Sequence, residues 1–265
     1  MNLLAEKRLL VTRAAGQYDP LARQIVQRGG IPLPFPCLAV QCLPKNIRNA
    51  LNNIPGDAAI LLSSANGVDC AAQALGDDFV AHISRHPVIV VGKQTAEALQ
   101  AHGIEAAWVA EEASQEGLIK GFAAHGLPQR ICFLRAEDGR DVLQQALQSR
   151  GADVRLVHAY RTICPEESPI AIVTALQQGE VDAVLLGSSR TAQHYVQRIG
   201  DAELADRPVV AVISRQVAMA ANEAGLSVQV VAKEASFTAM LDGLEEYFAG
   251  LLQDDTRSTV EETRP

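Results

Sequence analysis

The sequence lacks long hydrophobic runs and has few aromatic residues. No apolar stretch approaches the roughly 18 to 20 residues that a membrane-spanning helix needs, and the start, MNLLAEKRLLVTR, shows no secretory signal pattern. Aromatic residues make up 4% of the chain and the formal net charge is -8. A nucleic-acid surface needs a basic patch and usually stacking rings. We therefore expect a cytoplasmic protein that binds neither nucleic acid nor membrane.

Several chemical motifs are also missing. The five cysteines form no Cys-x-x-Cys pair and lie mostly in or beside apolar runs, as Cys132 does in RICFLR, so we expect reduced packing residues. The six histidines are scattered without carboxylate or cysteine neighbours at ligand spacing, which argues against a metal site. Dinucleotide and P-loop glycine motifs, an FMN loop and a Gly-x-Ser-x-Gly nucleophile elbow are absent. We expect no cofactor.

An apolar run that ends in polar residues is the most informative stretch that is present. DAAILLSSANGV, from Asp57, predicts a buried parallel strand followed by Ser63, Ser64 and Asn66, which can start a helix or hold an anion. A similar stretch, DAVLLGSSRT, begins 125 positions later at Asp182 and places Ser188 and Ser189 after its strand. One such serine pair is explained by helix capping alone, but two copies weaken that explanation.

The duplication extends over the whole chain. The region from Arg8 aligns without a gap on the region from Arg130, 122 positions later, so that Arg13 and Gly29 recur as Arg135 and Gly151. Each unit of about 120 residues is the size of one ordinary domain. Its alternating strands and helices predict an α/β fold with a five-stranded, doubly wound parallel sheet of flavodoxin-like order.

Two proline-containing connectors, IPLPFPCLAV and HAYRTICPEESP, interrupt the two copies at matching places. Either each copy is one domain, or the two strands before each connector pair with the three strands of the other copy. The second arrangement makes one domain from both chain ends and one from the middle. The residues alone leave both open.

Hydrophobic periodicity predicts the elements between these connectors. Strands are predicted at 7–12, 31–40 (becoming a connector), 58–62, 87–91, 106–110, 130–134, 153–160, 181–186, 209–213 and 228–232. Helices are predicted at 20–28, 46–53, 68–75, 95–102, 141–150, 170–178, 191–199, 217–224 and 237–248, with Ser114 as a further helix cap.

Cationic residues follow many of the predicted strands. Ligands of open parallel sheets bind beyond the carboxyl ends of the strands, so these side chains predict a cationic cleft in an acidic protein. The alternative is a scatter of solvated charges. The residues concerned are Arg13, Lys93, Arg135, Arg190, Arg215 and Lys233.

Taken in order, these motifs resemble the uroporphyrinogen-III synthase family over nearly the whole chain. The resemblance is carried by LLVTRAAGQ, ILLSSANGV, VVGKQTAEAL, FLRAEDGRDVLQQALQSRGADV, HAYRTICP and DAVLLGSSRTAQ. It implies two flavodoxin-like domains joined by two extended connectors, with an active site in the cleft. The implied bounds are 1–36 with 168–252 for the first domain, 41–160 for the second, 37–40 and 161–167 for the connectors, and 253–265 for a disordered tail.

The same resemblance implies a reaction without a cofactor. In this family the linear tetrapyrrole hydroxymethylbilane loses water to give an azafulvene, closes through a spiro-pyrrolenine and forms uroporphyrinogen III with ring D inverted. Without the enzyme, the bilane closes to the uninverted isomer. The implied activity is a cyclising hydro-lyase of haem biosynthesis, and we expect a monomer.

Site residues also follow from the resemblance. Tyr160 matches the family's connector tyrosine, whose phenol is protonated at neutral pH and can donate to the departing hydroxyl. Thr95 matches a threonine that donates to substrate carboxylates, whereas its counterpart in the second copy is Val217, where Ser214 is the available substitute. The other implied substrate contacts are Arg13, Ser63, Ser64, Asn66, Ser188 and Ser189.

Two other functional classes stay open at this point. A non-enzymatic two-lobed module that binds an anionic small molecule would bind without turnover. A regulatory protein with duplicated domains would expose a large apolar patch and have no affinity for tetrapyrroles.

Overall fold

The protein is an α/β fold that divides into two compact units. The computed structural model describes residues 3–110, 112, 114–139 and 141–262. Unit 1 comprises Met1–Ala39 and Cys164–Pro265, and unit 2 comprises Val40–Ile163. The family resemblance implies corresponding domain bounds at 1–36 with 168–252 and at 41–160.

The strands and helices follow the predicted alternation. The strands are β1 (Arg8–Val11), β2 (Ile31–Pro34), β3 (Ala39–Cys42), β4 (Ala59–Leu62), β5 (Val88–Val90), β6 (Trp108–Val109), β7 (Arg130–Ala136), β8 (Asp153–Ile163), β9 (Ala183–Leu186), β10 (Val209–Val212) and β11 (Val228–Val231). The helices are α1 (Tyr18–Gln27), α2 (Pro44–Asn52), α3 (Ala65–Leu75), α4 (Phe79–Ile83), α5 (Lys93–Ala101), α6 (Gln115–His125), α7 (Val142–Gln148), α8 (Ile170–Gln177), α9 (Ser189–Ile199), α10 (Ala202–Ala205), α11 (Arg215–Glu223) and α12 (Phe237–Glu262).

Unit 1 contains a sheet with the strand order β11-β10-β9-β1-β2. All of its neighbouring strands are parallel. Read from β2, this is the flavodoxin-like order 2-1-3-4-5, so the predicted α/β class with a parallel sheet is confirmed. The prolines at positions 32 and 34 are tolerated because β2 lies at the edge of the sheet, where a missing N–H donor costs little.

Unit 2 contains a sheet with the strand order β3-β8-β7-β4-β5-β6. The pairs from β8 to β6 are parallel and repeat the order found in unit 1. The additional edge strand β3 is a difference from the five strands predicted. It forms because β8 continues to Ile163, and this longer strand gives Ala39–Cys42 a partner.

Helices cover both faces of each sheet. Along β4 the buried side chains alternate, so that Ile60 and Leu62 pack with α2, α3 and α5, whereas Ala59 and Leu61 pack with α6 and α7. In unit 1, α8, α9, α10 and α11 cover one face and α1 and α12 cover the other. Burial on both faces explains why the central strands are continuous apolar runs.

Helix ends differ from the predictions in two ways. α3 begins at Ala65, directly after the cap Ser64, because the cap fixes the first turn earlier than the apolar pattern indicates. α12 continues to Glu262, into the stretch predicted to be a disordered tail, while residues 263–265 lie outside the described residues. Among the residues described, no helix is long and apolar enough to cross a membrane.

Two cysteines of unit 2 are joined, which the sequence analysis did not expect. A disulfide links Cys42 on β3 with Cys70 on α3, with their Cα atoms 5.3 Å apart. The expectation of reduced packing residues is therefore wrong for this pair. The new strand β3 brings Cys42 next to α3, a proximity that no local pattern reveals. Cys37, Cys132 and Cys164 are free.

Candidate active site

The hydroxyls of Tyr160 and Ser64 meet in unit 2. Their oxygen atoms lie 2.7 Å apart, within hydrogen-bonding distance. Tyr160 lies near the end of β8 and is buried, with 7% of its surface exposed, and Ser64 is the residue before α3. The structure thus brings together the residue predicted to be catalytic and one predicted to contact substrate. Sequence reasoning named both but gave no signal that they pair.

A β-bulge directs the side chain of Tyr160. Arg135 lies opposite His158 and Ala136 lies opposite Tyr160, so the register between β7 and β8 shifts and Ala159 is an extra residue. In a regular strand, Ala159 and Tyr160 would face opposite sides of the sheet. Here both belong to the same core cluster, the one that includes α3. The bulge therefore turns the tyrosine towards Ser64.

Ser64 also caps α3. Its Oγ accepts the backbone N–H of Gly67 at 3.2 Å, and its backbone is extended, as an N-cap requires. Ser63 is half-buried beside it, and Asn66 is exposed on the first turn of the helix. The helix start predicted for this loop is confirmed, and substrate contacts by these residues stay a prediction.

The loops after β5 and β10 are built differently from each other. The Thr95 hydroxyl is buried and donates to the carbonyl of Val91 at 3.1 Å. Ser214 caps α11 by accepting the N–H of Val217 at 3.4 Å, and Val217 is itself buried. Ser214 therefore occupies the cap position that Gly92 has in unit 2, one turn before the position of Thr95. Both substrate-binding assignments stay predictions.

The serine loop of unit 1 also caps its helix. Ser188 Oγ accepts the N–H of Thr191 at 3.1 Å and lies 2.6 Å from the Thr191 hydroxyl oxygen. Ser189 is half-buried and is the first residue of α9. The serine hydroxyl of this unit is thus bonded within its own helix, a contact that the sequence analysis missed because Thr191 was treated only as a helix residue.

The structural equivalence of the two serine loops corrects the alignment made on sequence. Ser64 and Ser188, 124 positions apart, are the two caps, and each follows its strand end, Leu62 or Leu186, by two residues. The alignment at 125 positions, which pairs Ser63 with Ser188, is wrong by one residue. The offset of 125 positions matched because each loop contains two consecutive serines. The hydrogen bonds to the helix N–H groups identify Ser64 and Ser188 as the equivalent residues.

Arg13 lies half-buried against an aromatic ring in unit 1. Its Nη2 donates to Gln17 Oε1 at 2.9 Å, and its guanidinium carbon lies 4.6 Å from the Phe237 ring centroid. Burial lowers the pKa of Arg13. The same ring packs on Gly187, where an added Cβ would come within 2.6 Å of it. Arg13 is therefore held close to the loop that precedes Ser188.

The prediction of a cation just beyond the strand end is wrong for Arg135. This residue lies inside β7, is buried with 4% exposure, and bonds through its guanidinium to Asp141. Lys93 and Lys233 are well exposed, but each pairs with a glutamate. The cationic character at the strand ends is thus weaker than the sequence indicates.

The two buried free thiols are unsuited to nucleophilic chemistry. Burial raises the pKa of Cys37 to about 12 and that of Cys132 to about 11, so both stay neutral near pH 7. Because the thiolate is the reactive form, these cysteines fit the predicted packing role. Within the described ranges, no group of three or more His, Cys, Asp or Glu residues is placed to hold a metal ion.

Comparisons with known proteins agree with one another. A sequence profile described as "Uroporphyrinogen-III synthase HemD" matches residues 19–242. The "Uroporphyrinogen-III synthase" of Synechococcus elongatus is 31% identical over 257 residues, covering 92% of this chain and 96% of that protein. The protein of the same name from Chlorobaculum parvum is 24% identical, covering 85% of this chain and 92% of the relative.

A solved structure shows a similar fold. The crystal structure named uroporphyrinogen-III synthetase from Helicobacter pylori matches with a TM-score of 0.57 at 15% identity, covering 89% of this chain and 97% of that one. The profile match spans most of the chain, and the Synechococcus elongatus relative is similar over nearly its full length. This chain belongs to the uroporphyrinogen-III synthase family.

Proposed function

We propose that this chain is a cyclising hydro-lyase that converts hydroxymethylbilane into uroporphyrinogen III with inversion of ring D. Family membership supports the reaction, and the hydrogen-bonded pair of Tyr160 and Ser64 is the observation that carries the chemistry. The reaction needs no redox step and no group donor, because the product is the bilane less one water. The protein's task is to control the conformation of a substrate that also closes unaided.

Tyr160 is the proton donor in this proposal. Its O–H bond breaks as the bond between the hydroxymethyl carbon and its oxygen breaks, so the hydroxyl leaves as water together with that electron pair. The pyrrole nitrogen lone pair stabilises the carbon left behind as an azafulvenium ion, and loss of the pyrrole N–H proton to solvent gives the neutral azafulvene. A general acid of this kind contributes about 10²- to 10⁴-fold to the rate. The ring of Tyr160 is fixed in an apolar core, which keeps its phenol in one position.

Loop residues at the carboxyl ends of the strands hold the acetate and propionate arms in this proposal. Anions bind well where helix N-terminal N–H groups and hydroxyls point outward. In unit 2 these contacts are Ser63, Asn66 and Thr95, whose buried hydroxyl would exchange its bond to the Val91 carbonyl for one to a carboxylate. In unit 1 they are Arg13, Ser188, Ser189 and Ser214. Because backbone amides also bind the carboxylates in this proposal, removal of one neutral side chain is expected to weaken substrate binding by on the order of 1 kcal/mol.

The test is a direct assay. Freshly made hydroxymethylbilane is added to the purified protein without cofactor, the products are oxidised, and the type I and type III isomers are separated by chromatography. We expect mainly type III. Heat-unfolded protein is the control for spontaneous closure to type I. Only type I at the control rate, from protein shown to be folded, contradicts the proposal and favours a binding module.

Salt dependence tests the role of Arg13. Reversing its charge with Arg13→Glu is expected to raise KM, and the effect is expected to shrink as ionic strength rises, because exposed charges are screened. A KM that is unchanged at every salt concentration removes Arg13 from the binding set. The monomeric state and the cytoplasmic location stay predictions, and light scattering after gel filtration checks the first.

A further inference from the structure

We infer that Ser64 is a positioning residue for Tyr160 and that its contribution to the reaction passes through that phenol. The inference rests on the proposed function, in which Tyr160 donates the proton. It differs from the assignment of Ser64 as a substrate contact, because it makes the serine hydroxyl a partner of the tyrosine.

Hydrogen-bond accounting supports this role. A serine hydroxyl has one donor and two acceptor sites. The N–H of Gly67 uses one acceptor site of Ser64, so one donor and one acceptor remain for Tyr160. While the phenol keeps its proton, Ser64 can donate to the phenol oxygen and leave the phenol O–H free for the substrate. After proton transfer, the same serine O–H donates to the phenolate oxygen.

The surroundings of Tyr160 make this hydrogen bond important for placing the phenol. Its ring lies among apolar residues, and its backbone is fixed by the bulge and by the N–H of Glu137, which donates to its carbonyl at 2.8 Å. A buried phenol oxygen needs a polar partner, and Ser64 is placed to be that partner. Since Ser64 is itself held by the first turn of α3, the phenol is tied to a rigid helix end.

Unit 2 also offers a matched control for the capping role. Ser114 caps α6 by accepting the N–H of Gly117 at 3.0 Å, so both serines cap a helix through a glycine three residues later. Within the part of the chain that the structure describes, only Ser64 of these two lies within hydrogen-bonding distance of a tyrosine hydroxyl. Ser114→Ala therefore removes a cap of the same kind without touching Tyr160.

The kinetic test is a double-mutant cycle on type III formation. Ser64→Ala is expected to lower kcat about 3- to 10-fold with little change in KM, and Ser64→Thr is expected to restore most of it. In the Tyr160→Phe background, Ser64→Ala is expected to lower kcat less than about twofold, because the two residues act as a unit. Ser114→Ala is expected to leave kcat unchanged while lowering the melting temperature as Ser64→Ala does.

Two kinetic results overturn the inference. One is full additivity, in which Ser64→Ala lowers kcat by the same factor in Tyr160→Phe as in the wild type. The other is a rise in KM at constant kcat, which makes Ser64 a substrate contact. Both are read relative to wild-type protein that forms type III. Failure of the wild type to form it refutes the proposed function instead.

A second measurement does not depend on activity. With tyrosine labelled by ¹³C at Cζ, the Tyr160 resonance is identified by its loss in Tyr160→Phe. We expect this resonance to shift in Ser64→Ala and to stay in place in Ser114→Ala. An unshifted Tyr160 resonance in folded Ser64→Ala overturns the pairing, whatever the outcome of the assay.

Discussion

The two units share a strand order and a capping serine, but they differ in what the serine hydroxyl meets. In unit 2, Ser64 meets the phenol of Tyr160, which comes from a different strand. In unit 1, Ser188 meets the hydroxyl of Thr191 on its own helix. The same fold therefore places a tyrosine hydroxyl next to the capping serine in unit 2 and a threonine of the serine's own helix next to it in unit 1.

Two local features account for this difference. The β7 and β8 pair has a bulge, whereas β1 and β2 keep one register from Arg8 to Val11, and the chain beyond β2 buries Phe35 and Cys37 in the core. The third helical position is Gly67 in unit 2 and Thr191 in unit 1. The bulge and the missing side chain thus accompany different hydrogen-bond partners for the capping serines of the two copies.

The largest expected effect comes from removing the tyrosine hydroxyl of unit 2. Tyr160→Phe is expected to lower type III formation about 10²- to 10⁴-fold, because it removes the proposed proton donor. The matched change in unit 1, Thr191→Val, is expected to change the rate less than about threefold and to cost about 1 kcal/mol of stability. Stopped assays of isomer composition and thermal unfolding measure both. Full activity of Tyr160→Phe excludes its hydroxyl as the donor.

The disulfide gives the next largest difference between the units. Cys42 and Cys70 are 28 positions apart, and a closed loop of this length stabilises a protein by about 3 to 4 kcal/mol on the chain-entropy account. Cys42→Ser is expected to lower the free energy of unfolding by about that amount.

Cys164→Ser, at a free cysteine of unit 1, is the control and is expected to cost less than about 1 kcal/mol. Urea unfolding measures both variants. A non-reduced peptide map without a peptide that joins positions 42 and 70 would refute the link itself.

Gly67 tests whether unit 2 can be converted into the arrangement of unit 1. A Cβ at Gly67 would lie 3.7 Å from Ser64 Oγ and 3.4 Å from Leu62, which are ordinary van der Waals distances, so a Cβ is tolerated there. Gly67→Thr is expected to bond Ser64 as Thr191 bonds Ser188, and so to lower kcat about 3- to 10-fold. Gly67→Ala controls for the added Cβ and is expected to stay near wild type. Equal kinetics for the two variants would mean that the serine partner does not matter.

The smallest effect expected at neutral pH comes from a buried thiol of unit 1, whose contribution to stability changes only at alkaline pH. Because burial raises the pKa of Cys37 to about 12, the folded state keeps this proton when the unfolded chain loses it. Its contribution to stability is complete below the unfolded pKa, near 9, and is lost as pH rises towards 12. Between these values the free energy of unfolding of the wild type is expected to fall by up to about 1.4 kcal/mol per pH unit more than that of Cys37→Ala. Parallel stability curves from urea unfolding would contradict this.

The sequence by itself determined much of this protein. Alternating apolar runs placed the parallel strands, and a serine after an apolar run marked the helix starts at Ser64 and Ser114. These signals are local, because burial pattern and capping depend on residues a few positions apart. The order of motifs also pointed to the family, and the comparisons confirm it.

Only the tertiary structure decided how these pieces combine. The residues left open whether each copy folds by itself, and the structure shows that β1 and β2 share one sheet with β9, β10 and β11 of the other copy, joined through the β1–β9 pair. Tertiary structure also decided three further features. They are the bulge at Ala159, the hydrogen bond between Ser64 and Tyr160, and the disulfide between Cys42 and Cys70. Each depends on which strands become neighbours, and that choice is made by packing between distant parts of the chain, where local periodicity carries no information.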